Sequence, residues 1–144
     1  MDQQKLTPAM EDYLKTILIL EQENRVARVS DISRRMNVRK ASVVSAVALL
    51  SKFEMLTHEK YGFITLTDLG RQEGGILKKK YTALYDMFVK DLQISPENAA
   101  IEACAAEHVL SSETVARIRA MSKAARRAEP KEKSVKNKKR KCQS

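Results

Sequence analysis

Long apolar runs are missing from this 144-residue sequence; none approaches the ~20 residues that a membrane-spanning helix needs. The first ten residues, MDQQKLTPAM, also lack the apolar stretch of a secretory signal. These absences lead to the expectation of a cytoplasmic protein without membrane contact. Cysteine is scarce as well. Two residues, one of them Cys142 near the C-terminus, do not build a disulfide framework, and in a reducing compartment a lone cysteine beside Glu and His reads as a ligand or a nucleophile. Cys142 is expected to be incidental. Common enzyme signatures are absent: there is no GxxxxGK[ST], HExxH or GxSxG, and no dinucleotide-binding glycine run within a βαβ pattern. A cysteine-dependent hydrolase or transferase would also need an oxyanion hole, and none is recognisable. An enzyme is not expected.

What the chain has in excess is positive charge. Lys and Arg outnumber Asp and Glu 27 to 18, a formal net charge of +9 that suggests a polyanionic partner. The excess is local: Lys123 to Ser144 holds ten Lys or Arg against two Glu, leaving 17 basic and 16 acidic residues before it. Residues 123–144 read as a flexible basic tail, too polar to pack, with at most non-specific affinity for phosphate. The folded part must therefore reveal its partner by pattern rather than by total charge.

Along the first half, Met10, Tyr13, Leu14, Ile17 and Leu18 follow a 3.6-residue period, with Thr7 as N-cap and Pro8 at the first helical position. This predicts a helix from about Pro8 to about Glu23. VSDISRRMNV predicts a two-turn helix capped by Ser30 and stopped at Asn37. RKASVVSAVALLSKFEML predicts a third, with Val43, Val47 and Leu50 inward and Arg39, Lys40, Ser42 and Ser45 on the other face. Two short helices joined by a tight turn make a helix-turn-helix candidate. In THEKYGFITLT, β-branched and aromatic residues flank Tyr61-Gly62, the pattern of two short strands and a turn, hence a wing with Lys60 and Tyr61 at its tip.

Thr67 can cap a long helix running to about Leu92, although Gly74 and Gly75 each weaken it by roughly 1 kcal/mol relative to Ala. Ser95-Pro96 starts another helix, which passes through EACAAEHVL, and Ser111 or Ser112 caps the next. If EACAAEHVL is helical, Cys104, Glu107 and His108 stand at i, i+3 and i+4 and project from one face. Three ligand-type side chains on one face suit a metal ion. A packed Cys beside a solvated Glu and His is the alternative. The expected architecture is mainly α: a winged helix-turn-helix domain over residues 1–70, a linker helix and small helical domain over 71–122, and the tail.

TPAMEDYLKTILILEQE, ARVSDISRRMNVRKASVVSAVALL and EACAAEHVLSSETVARI resemble the first helix, the helix-turn-helix and the metal-binding and dimerisation helices of one family. It comprises the iron- and manganese-responsive repressors of the diphtheria toxin repressor and manganese transport regulator type. The resemblance covers roughly residues 7 to 120 and fits the short two-domain branch. It implies a homodimer that binds palindromic operator half-sites in double-stranded DNA and represses metal-homeostasis genes. No protein partner is predicted. It implies metal ligation by Asp12, Cys104, Glu107 and His108, with Fe(II) or Mn(II) as the ion. Lys15 and Tyr81 occupy positions where relatives carry further ligands, so one ion per chain is expected. DNA contacts are expected from Arg39, Lys40, Ala41, Ser42 and Ser45, and from Lys60 and Tyr61 on the wing. The competing reading is a winged-helix regulator or architectural protein indifferent to metal.

Overall fold

The computed structural model describes residues 5–59 and 62–128; Lys60, Tyr61 and Cys142 lie outside the described residues. The chain divides into two compact units, one up to Lys78 and the other from Lys79 onward.

In the first unit α1 spans Pro8–Asn24, with Thr7 extended and its hydroxyl accepting the Met10 amide proton at 3.3 Å. That cap satisfies one of the orphan donors of a helix start. Met10, Leu14, Ile17 and Leu18 are buried along one stripe. α2 (Val29–Met36) and α3 (Lys40–Lys52) follow. Asn37 takes the left-handed conformation, φ 54°, and ends α2 as expected; a short polar side chain tolerates that region better than most. The turn is tied by the Val38 amide donating to the Ser33 carbonyl at 3.1 Å and the Ser33 hydroxyl donating to the Val38 carbonyl at 2.6 Å. Ile32 and Met36 of α2 and Val43, Val47 and Leu50 of α3 pack with the α1 stripe into one core.

Ser30 is not the cap of α2. Residues Ala27–Arg28 form a strand, β1, paired antiparallel with Phe63–Leu66, here β3 (Ala27 opposite Ile64, Arg28 opposite Phe63). The ladder holds Arg28 extended, so helical dihedrals begin at Val29 and Arg28 becomes the flanking residue. Two residues are too few to show a period of two, which hides this strand in the sequence. The Arg28 guanidinium lies 4.9 Å from the centroid of the Phe63 ring, within cation–π range. β2 (Leu56–His58) pairs on the other side of β3, giving the order β1-β3-β2. Gly62, at φ 85°, stands in the β2–β3 turn, a backbone region that glycine enters without strain.

Glu21 joins three elements. One carboxylate oxygen accepts the Leu66 amide proton at 3.0 Å and the other accepts from Arg71 Nε at 2.7 Å. Glu21→Ala leaves the part-buried Leu66 amide without its acceptor, and the expected loss is about 1–3 kcal/mol, read as a lower denaturation midpoint at constant slope. An unchanged midpoint would show that water replaces the carboxylate.

α4 (Asp68–Asp86) begins at the expected cap, with the Thr67 hydroxyl accepting the Gly70 amide proton at 3.1 Å. It runs through both glycines. A Cβ on Gly74 would stand 3.3 Å from Leu18 Cδ2, whereas one on Gly75 would meet nothing within 4 Å. Close packing on α1 therefore accounts for the first glycine only.

In the second unit α4 gives way at Met87–Asp91 to a π-helical segment, closed by the Leu92 amide bonding to the Met87 carbonyl at 3.0 Å. Such an insertion widens the turn and escapes a 3.6-residue pattern. α5 (Pro96–Ala106) and α6 (Ser112–Ala128) complete the unit. Ser95 caps α5 by accepting from the Asn98 amide at 3.3 Å, and Ser111 caps α6 by accepting from the Thr114 amide at 3.1 Å. Ala99, Ala100 and Ala103 pack against Leu84 and Tyr85 of α4, where small side chains permit close approach. α6 continues to Ala128, so Lys123–Ala128, expected in the tail, are helical. Asp91 holds this stretch, accepting from the Ser122 hydroxyl and pairing with Arg126 at 3.8 Å.

Candidate functional site

α5 ends at Ala106 with Glu107 as its C-cap, so the helix does not pass through the whole of EACAAEHVL. The Glu107 amide still bonds to the Ala103 carbonyl at 3.0 Å, but the Val109 amide turns back to Ala106 at 3.1 Å. The tighter i to i−3 bond closes the last turn because the next helix starts almost at once, at Ser112. Lys80 Nζ fixes the connection from the other side by donating to the Leu110 carbonyl at 3.0 Å.

This local fold brings three expected ligands together. Cys104 Sγ, a Glu107 carboxylate oxygen and a His108 ring nitrogen lie within 4.8 Å of one another. Metal–ligand bonds of about 2.0–2.3 Å place ligand atoms on one ion at most about twice that far apart, so small side-chain rotations close the set on a cation. Glu107 is 0% exposed, and its Oε1 lies 3.7 Å from His108 Nε2. A divalent ion beside a carboxylate held that deep would offset the cost of its burial. The donor chemistry therefore fits a metal.

Asp12 belongs to the first unit, half-buried in the first turns of α1. Lys15, one turn further on, is 3% exposed. In the second unit the Tyr81 ring stacks on Tyr85 with centroids 6.0 Å apart. Burial first, then the nearby Tyr85 and Glu107, pushes the Tyr81 phenol up to about 12. It is therefore neutral at physiological pH and offers no anionic oxygen.

On α3 and at its start, Arg39, Lys40, Ala41, Ser42 and Ser45 are all exposed, opposite the buried Val43, Val47 and Leu50. The Ser45 hydroxyl donates to the Ala41 carbonyl of its own helix at 3.1 Å. Sequence reasoning passed over Val44, which the structure leaves exposed on this face. Its spacing from Ala41 and Ala48 was the available signal.

A helix-turn-helix with a three-stranded wing, followed by a helical unit holding a buried Cys-Glu-His set, defines a winged-helix DNA-binding regulator with a metal-binding domain. The comparisons with known proteins agree. Residues 5–64 match the N-terminal DNA binding domain of the iron dependent repressors, and residues 67–134 match their metal binding and dimerisation domain. The chain belongs to the iron-dependent repressor family, one of metal-dependent transcriptional regulators and not of enzymes.

The HTH-type transcriptional regulator MntR of Geobacillus kaustophilus is 39% identical over 112 residues, covering 78% of this chain and 79% of that protein. MntR of Bacillus velezensis is 36% identical over 112 residues, covering 78% of each. Among solved structures, IdeR of T. acidophilum superposes with a TM-score of 0.71 at 28% identity over 83% of this chain and 55% of its own. A manganese-dependent transcriptional repressor in complex with manganese gives 0.68 at 26% identity over 78% of this chain and 51% of its own. The chain thus spans about half the length of these two solved relatives. No described helix is long and apolar enough to cross a membrane.

Proposed function

We propose that the chain is a cytoplasmic, homodimeric repressor of metal-homeostasis genes whose operator binding is switched on by one Fe(II) or Mn(II) ion per chain. Its ligands are Asp12, Cys104, Glu107 and His108. The observation that carries this reading is the buried grouping of Cys104, Glu107 and His108, in the part of the chain matched as a metal-binding domain. When Cys104 binds through sulfur the mixed set turns away from Mg²⁺ and Ca²⁺ and favours iron over manganese; without the sulfur that preference weakens. A single ion is favoured because Lys15 contributes a cation and Tyr81 a neutral phenol where relatives place further ligands.

The two matched domains, residues 5–64 and 67–134, support a division of labour. Residues 1–70 bind DNA, with Arg39, Lys40, Ala41, Ser42 and Ser45 on the recognition helix and Lys60 and Tyr61 on the wing. Residues 71–122, with the rest of α6 to Ala128, bind metal and pair the chains, and the basic residues beyond add at most non-specific phosphate affinity. An ion held by both α1 and the α5–α6 connection stabilises one arrangement of the DNA-binding part, and in a two-fold dimer that arrangement sets the spacing of the recognition helices. They must meet half-sites one helical turn, ~34 Å, or a multiple apart. Metal then raises operator affinity, and linkage requires operator to raise metal affinity by the same factor.

The test is binding of the full chain to promoter DNA from upstream of its own gene or a neighbouring transporter gene, in anaerobic reducing buffer with Fe(II), Mn(II) or chelator. Tight binding only with metal is expected. Binding that survives chelation overturns the proposal in favour of a metal-independent winged-helix regulator or architectural protein.

A further inference from the structure

The outer face of α3 is unusual in what it offers a base pair. Ala41, Val44, Ser45 and Ala48 follow the i, i+3, i+4, i+7 spacing and are all exposed, so they form one stripe. Val44 is 50% exposed although apolar, and the buried side of the helix, Val43, Ala46, Val47 and Leu50, already completes the core contact. Between Lys40 and Lys52 the stripe carries no Arg, Lys, Asn or Gln to bond a base edge bidentately. Its one hydroxyl, on Ser45, is directed to the Ala41 carbonyl of the same helix.

Arg39 and Lys40 stand exposed where the helix starts and supply positive charge for phosphate. A stripe of methyl groups behind two cations matches one feature of the major groove. The thymine C5-methyl is the only apolar group that the natural base pairs display there. Val also has a χ1 largely fixed by its branched Cβ in a helix, so its two methyls are held in place before DNA arrives.

We infer that Val44 is a specificity-determining residue that reads a thymine C5-methyl in each operator half-site. Recognition by this helix thus rests on apolar contact rather than on hydrogen bonds to base edges. The inference rests on the proposal that α3 is the recognition helix of a DNA-bound dimer.

The test uses full-length chain with Mn(II) in reducing buffer and duplexes that it selects from a random-sequence library. In the selected duplex each thymine is replaced in turn by deoxyuridine, which keeps the pairing and removes only the methyl. Burying one methyl-sized group corresponds to about a four-fold change in affinity. The expected result is a loss of about four-fold at one position in each half-site, and about the square of that when both symmetry-related positions are changed.

Val44→Ala should bind the thymine and uracil duplexes alike, whereas Ser45→Ala should retain the difference. Val44 is exposed, so the variant is expected to melt like the parent, and its melting curve checks this. Uracil sensitivity at no position, sensitivity unchanged in Val44→Ala, or selection that yields no preferred sequence overturns the inference. The same titrations in chelator separate the two readings. If selected DNA binds equally well without metal, the metal switch fails while the thymine contact stands. If binding requires metal but uracil is tolerated, the thymine contact fails while the metal switch stands.

Discussion

Replacing Glu107 by Gln is expected to erase the metal response: operator affinity in Mn(II) or Fe(II) should fall to the value seen in chelator. The loss should be about 5–150-fold, the usual range for coupling between two sites. Gln keeps the size of the side chain and removes the charge. An ion at Cys104 and His108 would then lose the one buried carboxylate of the α5–α6 connection, and with it most of its electrostatic attraction. Asp12→Asn should have the same phenotype, although it lies on α1 and outside the helical unit. Two readouts keep folding separate from ligation. Metal-free melting of each variant should resemble that of the parent, while the rise in melting temperature on adding metal should vanish. A variant that keeps the full metal-induced rise removes that residue from the ligand set.

Gly70→Ala should be the most damaging single methyl added to the DNA-binding unit. A Cβ there would lie 1.9 Å from the Met55 carbonyl oxygen and 2.9 Å from its carbon. Both belong to the backbone, so no side-chain rotation relieves the clash. That same carbonyl accepts the Thr67 amide proton at 3.0 Å, and the Thr67 hydroxyl donates to the Glu54 carbonyl at 2.6 Å. Relief would therefore pull apart the joint between α3, the wing and α4. A loss of about 3 kcal/mol is expected from overpacking of this kind, read by denaturant titration. Gly75→Ala is the control, because its Cβ meets nothing and the gain in helix propensity should stabilise by roughly 0.5–1 kcal/mol. Equal effects of the two substitutions would contradict the packing described around Gly70.

Much of this fold was legible because four of its helices announce their own start. Thr7-Pro8, Thr67, Ser95-Pro96 and Ser111 all cap where chain chemistry says they should. What escaped was non-local or off-period. β1 exists because Ala27 and Arg28 find a partner strand more than thirty residues later, and no local pattern encodes that pairing. The π-helical turn at Met87–Asp91 breaks the period on which helix prediction depends. At the site, spacing alone put Cys104, Glu107 and His108 on one face, and they do converge. The assumption of a continuous helix was wrong, because the chain turns at Glu107 to begin α6.

That early end of α5 alters the electrostatics of its neighbourhood. The peptide dipoles of Pro96–Ala106 sum to about half a negative charge at the helix C-terminus, which is where Cys104, Glu107 and His108 are gathered. A cation there is attracted by aligned carbonyls as well as by side chains, a contribution of about 0.3–1 kcal/mol. Had α5 continued through Leu110, the same three side chains would have sat along its flank, away from this field. The backbone of one short helix thus favours positive charge at the site before any ligand atom is counted.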